Sequence, residues 1–285
     1  MVSDRKSFTL GFGQVATIVS PDWFEPAFVS RLCPALIDST GFTPEWLAKI
    51  SRTEAAKFCI FSNSRELPDL VEFMAAHPGV RSVVGHNQKY FRQEVMASVS
   101  GIRGEHFDGS FYGEGARIRD FQVPSAKEHN RILDEIEGIL AARQFPETVR
   151  DRVSSVAWEL MMNASNDATM LGRAAGDTGG EVLPVEVTCA ISRRQISLCV
   201  TDFYGTLKKE AIIANLKRAA SGGEEQVATD GITGAGIGLY MVANSCHRLS
   251  YWVTPGLCTK VVVTFYRCPD EESFESRFKS INFFY

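Results

Sequence analysis

The sequence predicts an α/β protein of two domains: a flavodoxin-like α/β domain, then an α/β sandwich with helices on one face of a mixed sheet. Three observations predict this fold class. Short apolar runs alternate with helical stretches in the first half of the chain. In the second half, two amphipathic helices precede β-rich runs that form hairpins. Between the halves, residues 101–117 are rich in glycine and poor in aliphatic side chains, as expected of a linker.

The first half carries the pattern of a parallel sheet covered by helices. Runs rich in β-branched and aromatic residues predict strands at 14–20, 57–63 and 81–86. The stretches between and after them predict helices at 23–39, 67–77 and 90–102. Pro26 and Pro34 interrupt the first of these helices.

The second half has the predicted order helix, helix, hairpin, loop, helix, hairpin. Apolar residues at a helical period predict the helices, at 128–142, 147–171 and 238–247. Apolar β-rich runs predict the strands, at 185–191, 195–202, 248–254 and 259–266. A chain of 285 residues is long enough for two domains. We place them at 1–120 and 121–268, with a C-terminal tail at 269–285 that packs on the body or on a partner.

Composition excludes several classes of function. A net charge of −4 gives no electrostatic argument for nucleic acid or an anionic membrane, and we expect neither as a partner. No apolar run approaches the ~20 residues of a membrane helix, and the N-terminus lacks the apolar core of a signal peptide. The seven cysteines form no Cys-x-x-Cys pair. We therefore expect a cytoplasmic protein with reduced thiols.

Polar residues recur along one predicted helix in the stretch ELMMNASND. Glu159, Asn163 and Asp167 are four residues apart, so they lie along one face of a helix. A carboxylate and an amide at this spacing can hold a magnesium ion through oxygen, with phosphate and water completing its coordination. The alternative is a solvated helix face.

A carboxylate ends the apolar strand at 195–202, in the stretch TDFYGTL. Asp202 at the lip of a sheet can accept a hydrogen bond from an adenine amino group. Gly205, nearby, lets the backbone approach an adenine ring closely. The alternative is a strand-end turn, which also favours aspartate and glycine.

Three glycines alternate in GITGAGIGLYMV, immediately before a predicted helix: Gly234, Gly236 and Gly238. Backbone N–H groups of such a loop, with a helix N-terminus behind them, are suited to binding phosphate. A dinucleotide-binding fingerprint is the rival interpretation. It requires a strand immediately before the glycines, and the residues there, EEQVATD, are polar.

In this order, the three motifs and the closing hairpin resemble the N, G1 and G2 boxes of the GHKL superfamily, which includes gyrase and the histidine kinases. The resemblance covers about residues 125–266. It implies an ATP-binding domain in which Glu159 positions or activates the phosphate acceptor and Asn163 binds Mg²⁺. It further implies that Asp202 binds adenine and that the three glycines form a lid over the triphosphate.

The resemblance also implies that Thr259 lies near adenine. The sequence differs from the GHKL pattern at two points. The usual first glycine box is D-x-G-x-G, whereas here Tyr204 precedes a single Gly205, as in small GHKL proteins related to anti-sigma-factor kinases. Histidine kinases often carry a basic residue at the position of Asn166; Arg173, Lys208 or Lys209 are candidates to compensate. His129 lacks the context of a phosphoacceptor, and we expect an ordinary helix-start histidine.

The first half faintly resembles a response-regulator receiver in its alternation of strands and helices. Its central strand, KFCIFSNS, has no aspartate, and only Asp22 follows the first strand. We therefore expect a domain that has lost phosphotransfer and serves in protein interaction.

The expected function is that of an ATP-binding regulatory or signalling protein. We expect it to bind ATP or ADP with Mg²⁺ and to act on an unidentified protein partner, and the sequence leaves open whether the protein forms a homodimer. The leading hypothesis is a protein kinase of the anti-sigma or histidine-kinase-like class. The alternatives are a non-catalytic nucleotide-gated binding module and a slow ATPase. We also expect a short helix at about 209–219, followed by a loop that is mobile without nucleotide.

Overall fold

Runs of β-branched and aromatic residues form the strands of this protein, as a computed structural model shows. The α/β fold class predicted from the sequence is confirmed. The structure describes residues 7–10, 14–19, 35–38, 58–62, 66–78, 80–85, 94, 97–98, 101, 107, 109–167, 184–221 and 235–285. Within these ranges, every helix is too short or too polar to cross a bilayer.

The chain divides into two units. One consists of residues 1–107 with 275–285, and the other of residues 108–274. The change of unit therefore falls before the predicted boundary at about residue 120, because the strand at Arg117–Val123 pairs inside the second unit. The predicted tail likewise divides, and its last eleven residues belong to the first unit.

The first unit is built on a sheet of six described strands. They are β1 (Ser7–Leu10), β2 (Gln14–Val19), β3 (Ala35–Asp38), β4 (Phe58–Ser62), β5 (Val80–Gly85) and β11 (Ser280–Phe284). Strands β2 to β5 lie side by side in chain order and run parallel, whereas β1 and β11 are antiparallel to their neighbours. Helix α1 (Leu67–Ala76) connects β4 to β5.

The strand order corrects the flavodoxin-like expectation. A flavodoxin-like sheet has the order 2-1-3-4-5, with a reversal beside its first strand. The described parallel strands instead follow one another without a reversal. The predicted strands at 14–20, 57–63 and 81–86 and the helix at 67–77 are confirmed. Residues Ala35–Asp38, predicted to be helical, form a strand, because Pro34 separates them from the preceding pattern.

Polar side chains hold the C-terminal strand of the first unit. The Ser82 and Ser98 hydroxyls donate hydrogen bonds of 2.6 and 3.0 Å to Asn282 Oδ1, and the Gly85 N–H donates one of 2.9 Å to Ser280 Oγ. All of these side chains are buried. Because buried polar groups are costly unless they are paired, this network favours one register of β11 on β5.

The second unit has a five-stranded sheet with the order β9-β10-β8-β7-β6. The strands are β6 (Arg117–Val123), β7 (Val185–Ile191), β8 (Gln195–Asp202), β9 (Arg248–Thr254) and β10 (Cys258–Tyr266). All four neighbouring pairs are antiparallel rather than mixed, and hairpins form two of them, β7–β8 and β9–β10. The two predicted hairpins are confirmed; β6 was not predicted.

Four longer helices accompany this sheet. They are α2 (His129–Ala141), α3 (Glu147–Met162), α4 (Lys209–Ala220) and α5 (Ala235–Ser245), and a further short helix, α6 (Glu271–Glu275), follows β10. Helix α3 contacts α2, α5 and β8, and α4 contacts α5. The apolar stripe of α3 includes Val153, Val156 and Leu160, all buried. A five-residue π-helix, Asn163–Asp167, continues α3 directly.

Candidate functional site

The C-terminal end of α3 carries two of the predicted site residues. Glu159 lies on its last turn and Asn163 is the first residue of the π-helix, and both are half-buried. They keep the α-helical spacing that places them on one face. Hydrogen bonds of a π-helix run from i to i+5, so the spacing used to align Asp167 with Asn163 does not apply there. The side chain of Asp167 lies outside the described residues.

Gly238 lies directly against the Glu159 carboxylate. A Cβ placed on Gly238 would overlap the carboxylate oxygens of Glu159, so a larger residue there would force the Glu159 side chain to move. Residues 159 and 238 are far apart in sequence, and no local rule requires their contact. The fold therefore brings Gly238 to the polar face of α3.

Two of the three glycines lie inside a helix rather than in a loop before it. Helix α5 begins at Ala235, three residues earlier than predicted, and includes Gly236 and Gly238. Glycine weakens a helix by about 1 kcal/mol relative to alanine, and at Gly238 a side chain would meet the Glu159 carboxylate. Gly234 and the segment 222–234, including the predicted mobile loop, lie outside the described residues. The predicted helix before that loop is confirmed as α4.

The predicted adenine-binding carboxylate is buried where β8 ends. Asp202 is 8% exposed. Its Oδ1 accepts hydrogen bonds from the N–H groups of Tyr204 at 3.0 Å and Gly205 at 3.3 Å. Burial raises the pKa of Asp202 above its ordinary value, while hydrogen bonds from Tyr204, Gly205 and Thr259 oppose this shift. A carboxylate offers about four acceptor positions, and the Tyr204 and Gly205 N–H groups use two of them, both on Oδ1.

Thr259 is the cross-strand neighbour of Asp202. The two residues are paired in the β8–β10 ladder, and Thr259 is also buried. The sheet thus places both residues assigned to the adenine end side by side.

Gly205 has a structural role beside its predicted one. Its φ of +60° lies in the left-handed region, and a Cβ there would lie 2.8 Å from both Gly256 N and Leu257 N and would overlap the Thr254 carbonyl oxygen. The Gly256 N–H also donates a 3.3 Å hydrogen bond to the Gly205 carbonyl. The loop after β8 therefore packs backbone to backbone on the β9–β10 turn, and glycine is the residue that permits it.

The elements that carry these residues adjoin one another. Strand β8, which ends at Asp202, contacts both α3 and the π-helix that begins at Asn163, and α3 contacts α5. Of the basic residues considered as phosphate ligands, Lys208 is exposed, Lys209 is buried at the start of α4, and Arg173 lies outside the described residues.

The donor set fits magnesium held jointly with a nucleotide. The described residues contain no cluster of three or more His, Cys, Asp or Glu side chains that could hold a metal ion alone. Mg²⁺ usually keeps several waters and takes one or two protein oxygens together with phosphate oxygens. Asn163 and Glu159 can supply such oxygens, and Gly238 of α5 lies against Glu159.

Sequence reasoning missed a histidine beside this site. His129 starts α2, as predicted, and its side chain is fully buried. Its Nε2 lies 3.2 Å from the Ser165 hydroxyl, within the π-helix. The spacing from 129 to 165 carries no local pattern, so only the fold could show this contact. His247, in contrast, is a satisfied structural residue: its Nδ1 accepts the Tyr266 N–H at 2.8 Å and its Nε2 lies 3.1 Å from the Phe274 carbonyl.

Comparison with known proteins does not identify a family for this chain. No family model matches the chain, and no curated protein matches it. Among solved structures, the chain is similar to one in the crystal structure of the SiaB–SiaC complex from Pseudomonas aeruginosa, with 16% sequence identity and a TM-score of 0.36. The similarity covers 52% of this chain and 89% of that chain. At these values it carries no argument about this protein.

Proposed function

We propose that the second unit is a magnesium–ATP-binding regulatory module that acts on a protein partner. The observation that carries this proposal is the contact between Gly238 and Glu159, because it joins the glycine-rich segment to the polar face of α3. The nucleotide lies between two groups of residues. Asp202 and Thr259 hold the adenine at the end of β8, and Asn163 and the N-terminal turn of α5 hold the phosphates.

Each residue has a distinct task. The Asp202 carboxylate accepts a hydrogen bond from the adenine amino group. The Asn163 side-chain oxygen binds the cation, which neutralises phosphate charge when it is bound. The N–H groups of the first turn of α5 have no partners within their own helix, so they suit phosphate oxygens.

The leading chemistry is phosphoryl transfer to a partner side chain. The partner hydroxyl oxygen forms a bond to the γ-phosphorus, the bond from that phosphorus to the bridging oxygen breaks, and ADP leaves. Glu159 accepts the proton of the hydroxyl. A histidine acceptor attacks in the same way through a ring nitrogen.

A second candidate is a nucleotide-gated module without catalysis, and the same contact favours it. The Glu159 carboxylate lies against Gly238 in the backbone of α5. Phosphates that bind α5 change this contact, and the change in the position of α5 alters affinity for the partner.

Titration calorimetry tests nucleotide binding. Wild-type protein is titrated with ATP and Mg²⁺, next to Asp202→Asn and, as a matched control, Asp120→Asn, an exposed acid of the same sheet. Loss of the adenine contact costs ~1–3 kcal/mol, so we expect about 10-fold or greater weakening in D202N only. Absence of binding by the wild type at millimolar ATP contradicts the proposed function.

Labelled ATP separates the two candidates. With a partner present, phosphoryl transfer predicts label on the partner that Glu159→Gln abolishes while ATP still binds. The control is Glu147→Gln, an exposed acid at the start of the same helix, which should leave transfer unchanged. Gating instead predicts no label, and a partner affinity that depends on nucleotide in the wild type but not in E159Q.

A further inference from the structure

His129 joins α2 to the segment that follows α3. It is the first residue of α2, and its side chain is fully buried. Its ring stands edge-on to Trp158 of α3, with ring centroids 5.5 Å apart and an interplanar angle of 88°. Its Nε2 lies 3.2 Å from Ser165 Oγ. One imidazole thus contacts both the last turns of α3 and the middle of the π-helix.

The surroundings of the ring indicate which nitrogen carries the proton. Nδ1 is buried and has no hydrogen-bond partner. A neutral imidazole has one N–H, and a buried N–H without an acceptor is costlier than a bare acceptor nitrogen. The proton therefore lies on Nε2, which donates to the Ser165 hydroxyl. Burial also lowers the pKa of His129, which is consistent with a neutral ring.

The Ser165 contact acts on an unusual piece of backbone. π-Helices are rare, and single π turns occur frequently at functional sites. This one begins at Asn163, has Ser165 at its centre and contacts β8. Because the wide turn is an intrinsically unfavourable form of helix, its geometry depends on contacts that hold it. The position of the Asn163 side chain depends in turn on that geometry.

We propose that His129 is a positioning residue that, through Ser165, fixes the π turn and so places the Asn163 oxygen for the cation of a bound nucleotide. This inference rests on the proposed function, because it assigns Asn163 to a Mg²⁺–nucleotide complex. His129 itself touches neither nucleotide nor metal. Residues that orient a metal ligand in this way typically change metal affinity by 10–100-fold when they are replaced.

The test compares ATP dissociation constants in Mg²⁺ and in EDTA for four variants of the full chain. In His129→Leu and Ser165→Ala, we expect the Mg²⁺-dependent gain in affinity to fall about 10-fold, with affinity in EDTA unchanged. In His129→Gln, whose amide can reach the Ser165 hydroxyl, the gain should be retained. Ser154→Ala, in the middle of α3, is the control for a lost serine hydroxyl and should match the wild type.

The outcomes are distinguishable. If wild-type protein binds no ATP, the proposed function falls and this inference falls with it. If the wild type binds ATP with a Mg²⁺-dependent gain that H129L and S165A retain, the inference alone is overturned. A wild type without any Mg²⁺-dependent gain also overturns it, as does an equal loss of affinity in Mg²⁺ and EDTA, because His129 would then be a packing residue. If H129L does not fold, S165A decides.

Discussion

The two ends of the proposed nucleotide site differ in how their structure arises. At the adenine end, local rules explain the geometry. Asp202 accepts hydrogen bonds from the N–H groups of Tyr204 and Gly205, two and three positions later, and Gly205 supplies a left-handed turn. At the phosphate end, Gly238 meets Glu159, and no local rule explains that meeting. A strand-end turn alone would also produce the first arrangement, whereas the second requires a specific packing of α5 on α3.

This difference decides how much each end supports nucleotide binding. Aspartate and glycine after a strand are common in turns, so the adenine end would look the same in a protein that binds nothing. Gly238 is unfavourable for a helix and lies where a side chain would overlap the Glu159 carboxylate. The phosphate end therefore supports the proposed function more strongly, and the adenine end requires the binding test.

Replacing Gly205 by alanine should give the largest loss of stability. The new Cβ would overlap the Thr254 carbonyl and meet the Gly256 and Leu257 backbone at 2.8 Å, at a φ of +60°. Strain and overpacking together should lower the free energy of unfolding by about 3 kcal/mol or more. Urea denaturation measures this loss.

Gly256→Ala is the matched control. Gly256 also has a left-handed φ, +71°, but a Cβ there would meet nothing within 4 Å. The left-handed conformation alone costs about 1–2 kcal/mol, so this variant should lose distinctly less stability than Gly205→Ala. Equal losses would contradict the tight packing of the two turns.

Gly238→Ala tests the phosphate end. The new Cβ would force the flexible Glu159 carboxylate to move, at a cost of about 0.5–1.5 kcal/mol, against a gain of about 1 kcal/mol from the better helix propensity of alanine. Gly138→Ala, in α2 with nothing within 4 Å of the new Cβ, should instead stabilise by about 0.5–1 kcal/mol.

A double-mutant cycle with Glu159→Ala then isolates the contact. Without the carboxylate, Gly238→Ala should resemble Gly138→Ala and become stabilising. If Gly238→Ala destabilises equally in both backgrounds, the Glu159 contact is not the cause, and the main support for the phosphate end is lost.

The sequence predicted the fold best where periodicity is strong. The hairpins of β7–β8 and β9–β10 and the helices α2 and α3 follow from uninterrupted apolar periods. Strand β6 was missed because it lies at the sheet edge: Arg117 to Asp120 are exposed, and only Phe121 and Val123 show the apolar alternation. Strand β11 was missed because its pairing with β5 joins residues about 200 positions apart, which no local pattern can indicate.

The candidate site was predictable in its residue types but not in its contacts. The spacing of Glu159 and Asn163 follows from helical geometry, and the Asp202–Thr259 pair follows from the predicted strands. The early start of α5 could not be predicted, because glycine normally ends a helical pattern and α5 contains Gly236 and Gly238. The His129–Ser165 contact likewise depends on how α2 packs beside α3.

Asp202→Asn should affect stability in a direction that depends on pH. Burial raises the folded-state pKa of Asp202 above the ordinary 3.8. The unfolded chain therefore loses its proton first, and stability falls as the pH rises from 3.8 through the folded pKa. Asparagine removes this loss and keeps an oxygen for the Tyr204 and Gly205 N–H groups. Relative to wild type, D202N should gain stability above that window and none below pH 3.8. Urea denaturation of both proteins, from below pH 3.8 to above the folded-state pKa, measures this difference in stability.

His129 should show the opposite dependence at the other end of the site, with the smallest effect. Burial lowers its folded-state pKa below the ordinary 6.5, so the unfolded chain takes up a proton first as the pH falls. Stability that is fully present above pH 6.5 is therefore lost as the pH falls through the folded pKa. His129→Gln cannot take up this proton and should lack that part of the acid loss, although it keeps a donor for Ser165. Melts of both proteins between pH 5 and 8 test the difference. Parallel curves would mean that the His129 ring takes up its proton as easily in the folded protein as in the unfolded chain, which contradicts the neutral, Nε2-protonated ring inferred from the buried Nδ1.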